Sequence, residues 1–161
     1  MSPTHATKTI KYYWEDLHAG QTIELGSVTV EREEALAFAG RYDPQPFHLD
    51  EEAAAKSMFG RLSASGWHTC AMAMGIVVRH FLNHAASLGS PGLEQVKWLK
   101  PVYPGDTLTL RMRVTESRPM NSRPSVGLTR TEWQVFNQQG DQVLLVDSYA
   151  MFRRRTPAAK D

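Results

Sequence analysis

The stretch from residue 67 to about 88 reads as the longest helix of the chain, and it is apolar over nearly its whole surface. Cys70, Met72, Ala73, Met74, Ile76, Val77, Val78, Phe81 and Leu82 leave no continuous polar stripe, and the segment contains no Asp or Glu. A helix of that kind has to be surrounded. The C-terminal part of the chain can surround it. Residues 93–99, 106–116, 125–137 and 142–153 are four strand-like runs, separated by Pro-Gly-Asp, Arg-Pro and Gln-Gly-Asp connections. One buried helix and then a run of antiparallel strands specify an α+β domain in which a curved sheet wraps the helix.

The remainder fits one such domain. A chain of 161 residues, 42% hydrophobic and 22% charged, is long enough for one well-buried core and short for two. Residues 21–30 read as a strand bent at Gly26, and 31–42 and 51–58 as short helices. Residues 1–10 and 156–161 read as a flexible leader and tail around a domain spanning 11–155. A net charge of +1 supplies no general drive toward nucleic acid or an anionic membrane, so any anionic ligand must meet a local basic patch. Cys70 is the single cysteine, which excludes an internal disulfide and fits a reducing compartment. With no apolar run of membrane-spanning length and no signal-peptide core, the expectation is a soluble cytoplasmic protein.

Chemistry concentrates in Arg41-Tyr42-Asp43-Pro44-Gln45-Pro46-Phe47-His48-Leu49-Asp50. Pro44 and Pro46 cannot continue the preceding helix, since each lacks an N–H and pushes its predecessor out of the α region. Asp43 and His48 are therefore expected on a stiff, non-helical loop that folds back and brings carboxylate and imidazole to either side of one water, as an acid–base pair requires. The alternative is a turn-initiating Asp and a packed His. Asp50, ahead of Glu51, Glu52 and three alanines, reads as a helix N-cap.

The segment Asp43-Pro44-Gln45-Pro46-Phe47-His48-Leu49-Asp50 resembles the Asp-x-Asn/Gln-Pro-x-His-x-Asp signature of the MaoC-like hydratases and dehydratases, hotdog-fold proteins that add water to enoyl-CoA thioesters. Ala64-Ser65-Gly66-Trp67-His68-Thr69 and Leu99-Lys100-Pro101-Val102-Tyr103-Pro104-Gly105-Asp106 are similar to the same family, extending the resemblance over roughly residues 13 to 153. Many members carry His-Gly where this chain has Ser65-Gly66, a departure that bears on which acyl group is bound. The resemblance implies a hydro-lyase acting through Asp43 and His48, with an acyl-CoA or acyl-carrier thioester as substrate and no further cofactor. It also implies a homodimer or dimer of dimers, with the thioester tunnel where two sheets join.

Hydration needs a water at the β-carbon, a proton at the α-carbon and stabilisation of charge on the thioester oxygen. The free N–H groups at the start of the central helix suit the last task, with Gly66 as the expected oxyanion residue and no Cβ to obstruct a ligand. A plain N-cap at Ser65 or Ser63, with Gly66 there to relieve crowding, is the structural alternative. Pro46, Phe47, Ser65 and Trp67 are the expected pocket residues, and Lys97, Lys100, Arg118 and Arg123 the candidate CoA-phosphate contacts. His80 and His84 stand at i, i+4 but lack a third ligand, and His68 adds none, so no metal is expected. Two rivals remain. One is a hotdog thioesterase, which in one branch carries its carboxylate on the central helix, where this chain has none; the other is a non-catalytic acyl-thioester-binding or partner subunit.

Overall fold

The computed structural model describes residues 9–157. Most of the expected leader and tail, residues 1–8 and 158–161, lies outside them. Strand β1 (Thr22–Thr29) leads to helices α1 (Arg32–Tyr42), α2 (Pro46–Leu49), α3 (Glu51–Ala55) and α4 (Gly66–His80), and then to β2 (Ser87–Gly89), β3 (Leu93–Trp98), β4 (Thr107–Pro119), β5 (Val126–Phe136) and β6 (Gln142–Arg153). The strands form one antiparallel sheet in the order β1-β4-β5-β6-β2, with β3 also paired to β6. This is the hotdog arrangement, a long helix held in a curved sheet.

The sheet curves around α4 because every second residue of β4 is apolar. Leu108, Leu110, Met112 and Val114 point inward between exposed neighbours. The first three meet Met72, Ala73, Ile76 and Val77 of α4 together with Val135, Leu144 and Val146. Each large side chain so buried contributes about 1.5–3 kcal/mol of transfer free energy. In β1 the register shifts between Glu24 and Gly26, and Gly26 sits at φ +148 with His80 packed where a Cβ would stand. The bulge expected at that glycine thus seats the end of the helix.

Three expectations need correction. The central helix stops at His80 rather than near 88, because Phe81 leaves helical geometry to pack against Tyr12 and Phe152. Beyond a short 3₁₀ turn, Leu82–His84, the chain then pairs with β6 as β2. Helix 51–58 shortens to Glu51–Ala55, with the Ser57 hydroxyl bonded to the Ala54 carbonyl. The segment carrying His48 is not a non-helical loop but the single-turn helix α2. Pro46 stands at its first position, where a missing N–H costs nothing and the fixed φ suits a helix. Asp50 caps α3 as expected, its carboxylate accepting the Ala53 N–H at 2.8 Å. Nor is α4 covered all round within one chain, since Trp67 and Met74 are 59% and 42% exposed. No helix among the described residues is long and apolar enough to cross a membrane.

His68 lies between α1 and α4, 2% exposed and stacked on Phe38 with ring centroids 4.9 Å apart. Its Nε2 is 3.6 Å from the Glu34 carboxylate, too far for a hydrogen bond. Burial pushes its pKa below the ordinary value, with Glu34 pulling weakly the other way. The folded state therefore holds the ring neutral. Its contribution to stability is intact above about pH 6.5 and falls as the unfolded chain takes up the proton below that value. Denaturant unfolding between pH 7.5 and 5 should show the parent losing more stability on acidification than His68→Leu. Equal losses would place the acid sensitivity elsewhere.

Candidate active site

Asp43 is the C-cap of α1, where Pro44 ends the helix, and its N–H still bonds the Ala39 carbonyl. One turn of α2 then points the His48 imidazole back toward it. The His48 Nε2 lies 3.4 Å from Asp43 Oδ2, with the two side chains 7% and 16% exposed. The Nδ1–H of His48 donates to the Ser63 carbonyl at 2.8 Å, and a carbonyl can only accept, so the neutral ring carries its lone pair on Nε2. Whenever the ring is uncharged, Asp43 Oδ2 and His48 Nε2 thus present acceptors to one point. A water seated against both donates one proton to each.

The carboxylate is held ionised. Burial alone raises the Asp43 pKa, but hydrogen bonds from Gln45 and Ser65 and the positive charge available to His48 outweigh it, and the net direction is downward. The Gln45 amide donates to Oδ1 and the Ser65 hydroxyl to Oδ2, each at 2.7 Å. The Gln45 role was legible only as a letter of the motif. Ser65, expected as pocket lining, is wholly buried and faces the Asp43 carboxylate.

The pair opens into a pocket of about 450 Å³ between the start of α4 and the segment after β3, lined also by Phe59, Gly66, Trp67, Trp98 and Lys100. Among the described residues Asp43 is the sole carboxylate in that lining. A second cavity of about 200 Å³ lies at the other end of α4, against Val77 and Phe81, and among the described residues its only titratable side chain is Tyr149. It has no acid–base pair.

Among the described residues the Gly66 N–H has no protein partner, whereas the Trp67 N–H bonds Ser65 Oγ at 3.3 Å. The free donor expected at Gly66 is present. Glycine also relieves crowding there, as the structural alternative has it: a Cβ would lie 2.6 Å from Trp98 Nε1, and that indole donates to the Gly66 carbonyl at 2.8 Å. Trp98 also packs edge-on against Trp67, with centroids 5.2 Å apart. The two indoles form one wall of the pocket. Nothing local in the sequence marks Trp98, because its partner lies 32 positions away.

Of the other expected residues, Phe47 packs edge-on against His48 and tilted against Phe59, and so shapes the pocket from behind its wall. Pro46 acts by starting α2. Lys100 lines the pocket while paired with Asp141 at 3.0 Å. Lys97 precedes Trp98 in β3, so strand alternation puts it on the opposite face. Arg118 pairs with Leu128 at the far end of β4, and Arg123 lies in the turn beyond it, so within one chain neither is brought to this pocket. Arg61, stacked over Tyr103 at 3.8 Å, is a nearer cation that no sequence motif marks; it lies two positions from each of the pocket residues Phe59 and Ser63.

Comparison with known proteins gives the class. The MaoC like domain family matches residues 16–135, and the chain belongs to that family. A solved MaoC-like dehydratase from Rhodospirillum rubrum is 38% identical, with a TM-score of 0.84 over 91% of this chain and 99% of that one. The (R)-hydratase from A. caviae involved in PHA biosynthesis is 25% identical, with a TM-score of 0.66 over 87% and 98%. A Mycobacterium tuberculosis protein described as having a double hotdog fold is 25% identical, with a TM-score of 0.71 over 93% of this chain and 46% of that one.

Gly66→Ala tests the indole wall. The added methyl displaces Trp98, which is 46% exposed and free to swing outward, so the variant should fold with a loss of about 1–2 kcal/mol. Tryptophan emission should shift to the red. Unchanged emission and stability would mean that Trp98 does not rest on Gly66.

Proposed function

We propose that this protein is a hydro-lyase that adds water to, or removes it from, an enoyl or 3-hydroxyacyl thioester, with CoA as the carrier. The observation that carries the reading is the Asp43–His48 pair, two acceptors 3.4 Å apart facing one pocket beside a free helix N-terminal donor. In hydration the pair takes a proton from the water as its oxygen bonds to C3, and a proton is returned to C2. The Gly66 N–H and the positive end of α4 stabilise charge on the thioester oxygen meanwhile. Family membership and the likeness to an (R)-hydratase support the same chemistry. For the phosphates of CoA, Lys100 in the pocket lining and Arg61, on the segment between the lining residues Phe59 and Ser63, are better placed than Arg118 or Arg123 of the same chain.

Thioester hydrolysis fits less well, because α4 bears no carboxylate and Asp43 is paired with a histidine rather than standing alone. A non-catalytic role leaves unexplained why two buried groups are held facing each other with their hydrogen bonds assigned. A homodimer belongs to the proposal as well. The exposed Trp67 and Met74 face of α4 and the free edge of β3, with Leu93 54% exposed, form apolar surface suited to a second copy, and the double hotdog relative supports that packing.

Crotonyl-CoA hydration, monitored by loss of the enoyl absorbance, tests the pair. Asp43→Asn and His48→Ala should each lower turnover by roughly 100-fold or more, the usual scale for general acid–base groups. The double variant should be scarcely worse than either single one, since residues acting as a unit are non-additive. Near-normal turnover in Asp43→Asn would return both residues to a structural role.

A further inference from the structure

Ser65 occupies a junction between the base and the central helix. Its hydroxyl is the N-cap of α4, accepting the Trp67 N–H at 3.3 Å, and the same oxygen donates to Asp43 Oδ2 at 2.7 Å across 22 positions of sequence. The direction of each bond is fixed. An ionised carboxylate only accepts and a backbone N–H only donates, so the one hydroxyl proton points at Asp43 and a lone pair at the helix. The residue is 0% exposed, which removes its oxygen from any attack on a substrate.

We propose that Ser65 is a positioning residue that ties the base to the oxyanion helix, so that the Asp43 carboxylate and the free Gly66 N–H are held in one frame around the same thioester. It rests on the hydro-lyase reading of the Asp43–His48 pair. The frame is needed because the two groups reach the pocket on separate elements. Asp43 hangs from the end of α1 and Gly66 opens α4, and a misplacement of about 1 Å between reacting groups costs on the order of 100-fold. The Ser65 hydroxyl bridges those two elements directly at the reacting end.

The same bond sets the working pH of the base. Facing Asp43 are the His48 imidazole from α2, the uncharged Gln45 amide, and the Ser65 hydroxyl from α4. From the β3 side, Lys100 is drawn to Asp141 at 3.0 Å, and on α1 itself Arg41 lies over the Tyr42 ring. Removing the hydroxyl takes away one of two uncharged donors and leaves burial opposing fewer of them. Asp43 then takes up its proton at higher pH, and activity fades sooner on acidification.

Ser65→Ala and Ser65→Gly, with Ser65→Thr as the rescue, provide the test. Glycine is a tolerated N-cap, so Ser65→Gly removes the bond to Asp43 with little cost to the helix. The readouts are the acid limb of kcat/KM for crotonyl-CoA hydration and the Asp43 carboxyl titration monitored by carbon NMR. Loss of the hydroxyl should move both upward by about one pH unit, the scale of a hydrogen bond to a charged group. It should also lower kcat by about tenfold with KM little changed, on the scale of an orientation defect, and Ser65→Thr should restore both. An Asp43 titration unmoved in folded Ser65→Gly overturns the proposal. A parent that shows the Asp43 shift on loss of Ser65 but never hydrates a thioester overturns the hydro-lyase reading and leaves the Ser65–Asp43 bond standing.

Discussion

The apolar face of α4 has to be covered, and the way it is covered determines where chemistry can occur. Its inward residues meet the apolar row of β4 and the facing parts of β5 and β6, which pins the helix along the concave side of the sheet. Two cavities lie against the helix. The one toward its C-terminal end rests on Phe81, while His80 seats against the bulge at Gly26. The N-terminal end opens on the pocket, with a free N–H and the positive end of the helix dipole directed at it. Every other part of the site is arranged around that end.

Two prolines perform the arrangement. Pro44 stops α1 so that its last carboxylate projects from the end of a helix, and Pro46 starts a new helical turn two residues later, which carries His48 back toward Asp43. Hydrogen bonds then give each group one state. The Ser63 carbonyl selects the His48 tautomer, and Gln45 with Ser65 keeps Asp43 charged despite burial. With Nδ1 committed to the Ser63 carbonyl, the uncharged imidazole turns its lone pair toward the carboxylate, and the pair makes a receptor for a proton donor, of which water is the smallest.

Much of this was legible in the sequence where the cause is local. The apolar stretch at 67–88 predicted a buried helix, the run at 106–116 a strand, and Asp50 before Glu51 and Glu52 a cap. Asp43 and His48 were legible because prolines constrain the backbone at their own positions. The features that were not legible depend on distant partners. Nothing near residue 81 announces that Phe81 leaves the helix for Tyr12 and Phe152, and nothing near residue 98 announces an indole against Gly66. The cap that Ser65 makes on α4 was legible, but a residue before a helical glycine gives no sign of bonding a carboxylate 22 positions earlier. The basic residues Arg118 and Arg123 were expected near the rim of the sheet, and only the register of β4 with β5 shows that this part of the rim stands away from the pocket of their own chain.

The central claim, that Asp43 and His48 direct a water to carbon rather than to the thioester carbonyl, is tested most directly by isotope tracing. Crotonyl-CoA would be incubated with the protein in water enriched in oxygen-18, and the products resolved by mass spectrometry. Hydration places the label on the C3 hydroxyl of an intact 3-hydroxybutyryl-CoA. Label in a free carboxylate with release of CoA would contradict it and make the protein a thioesterase.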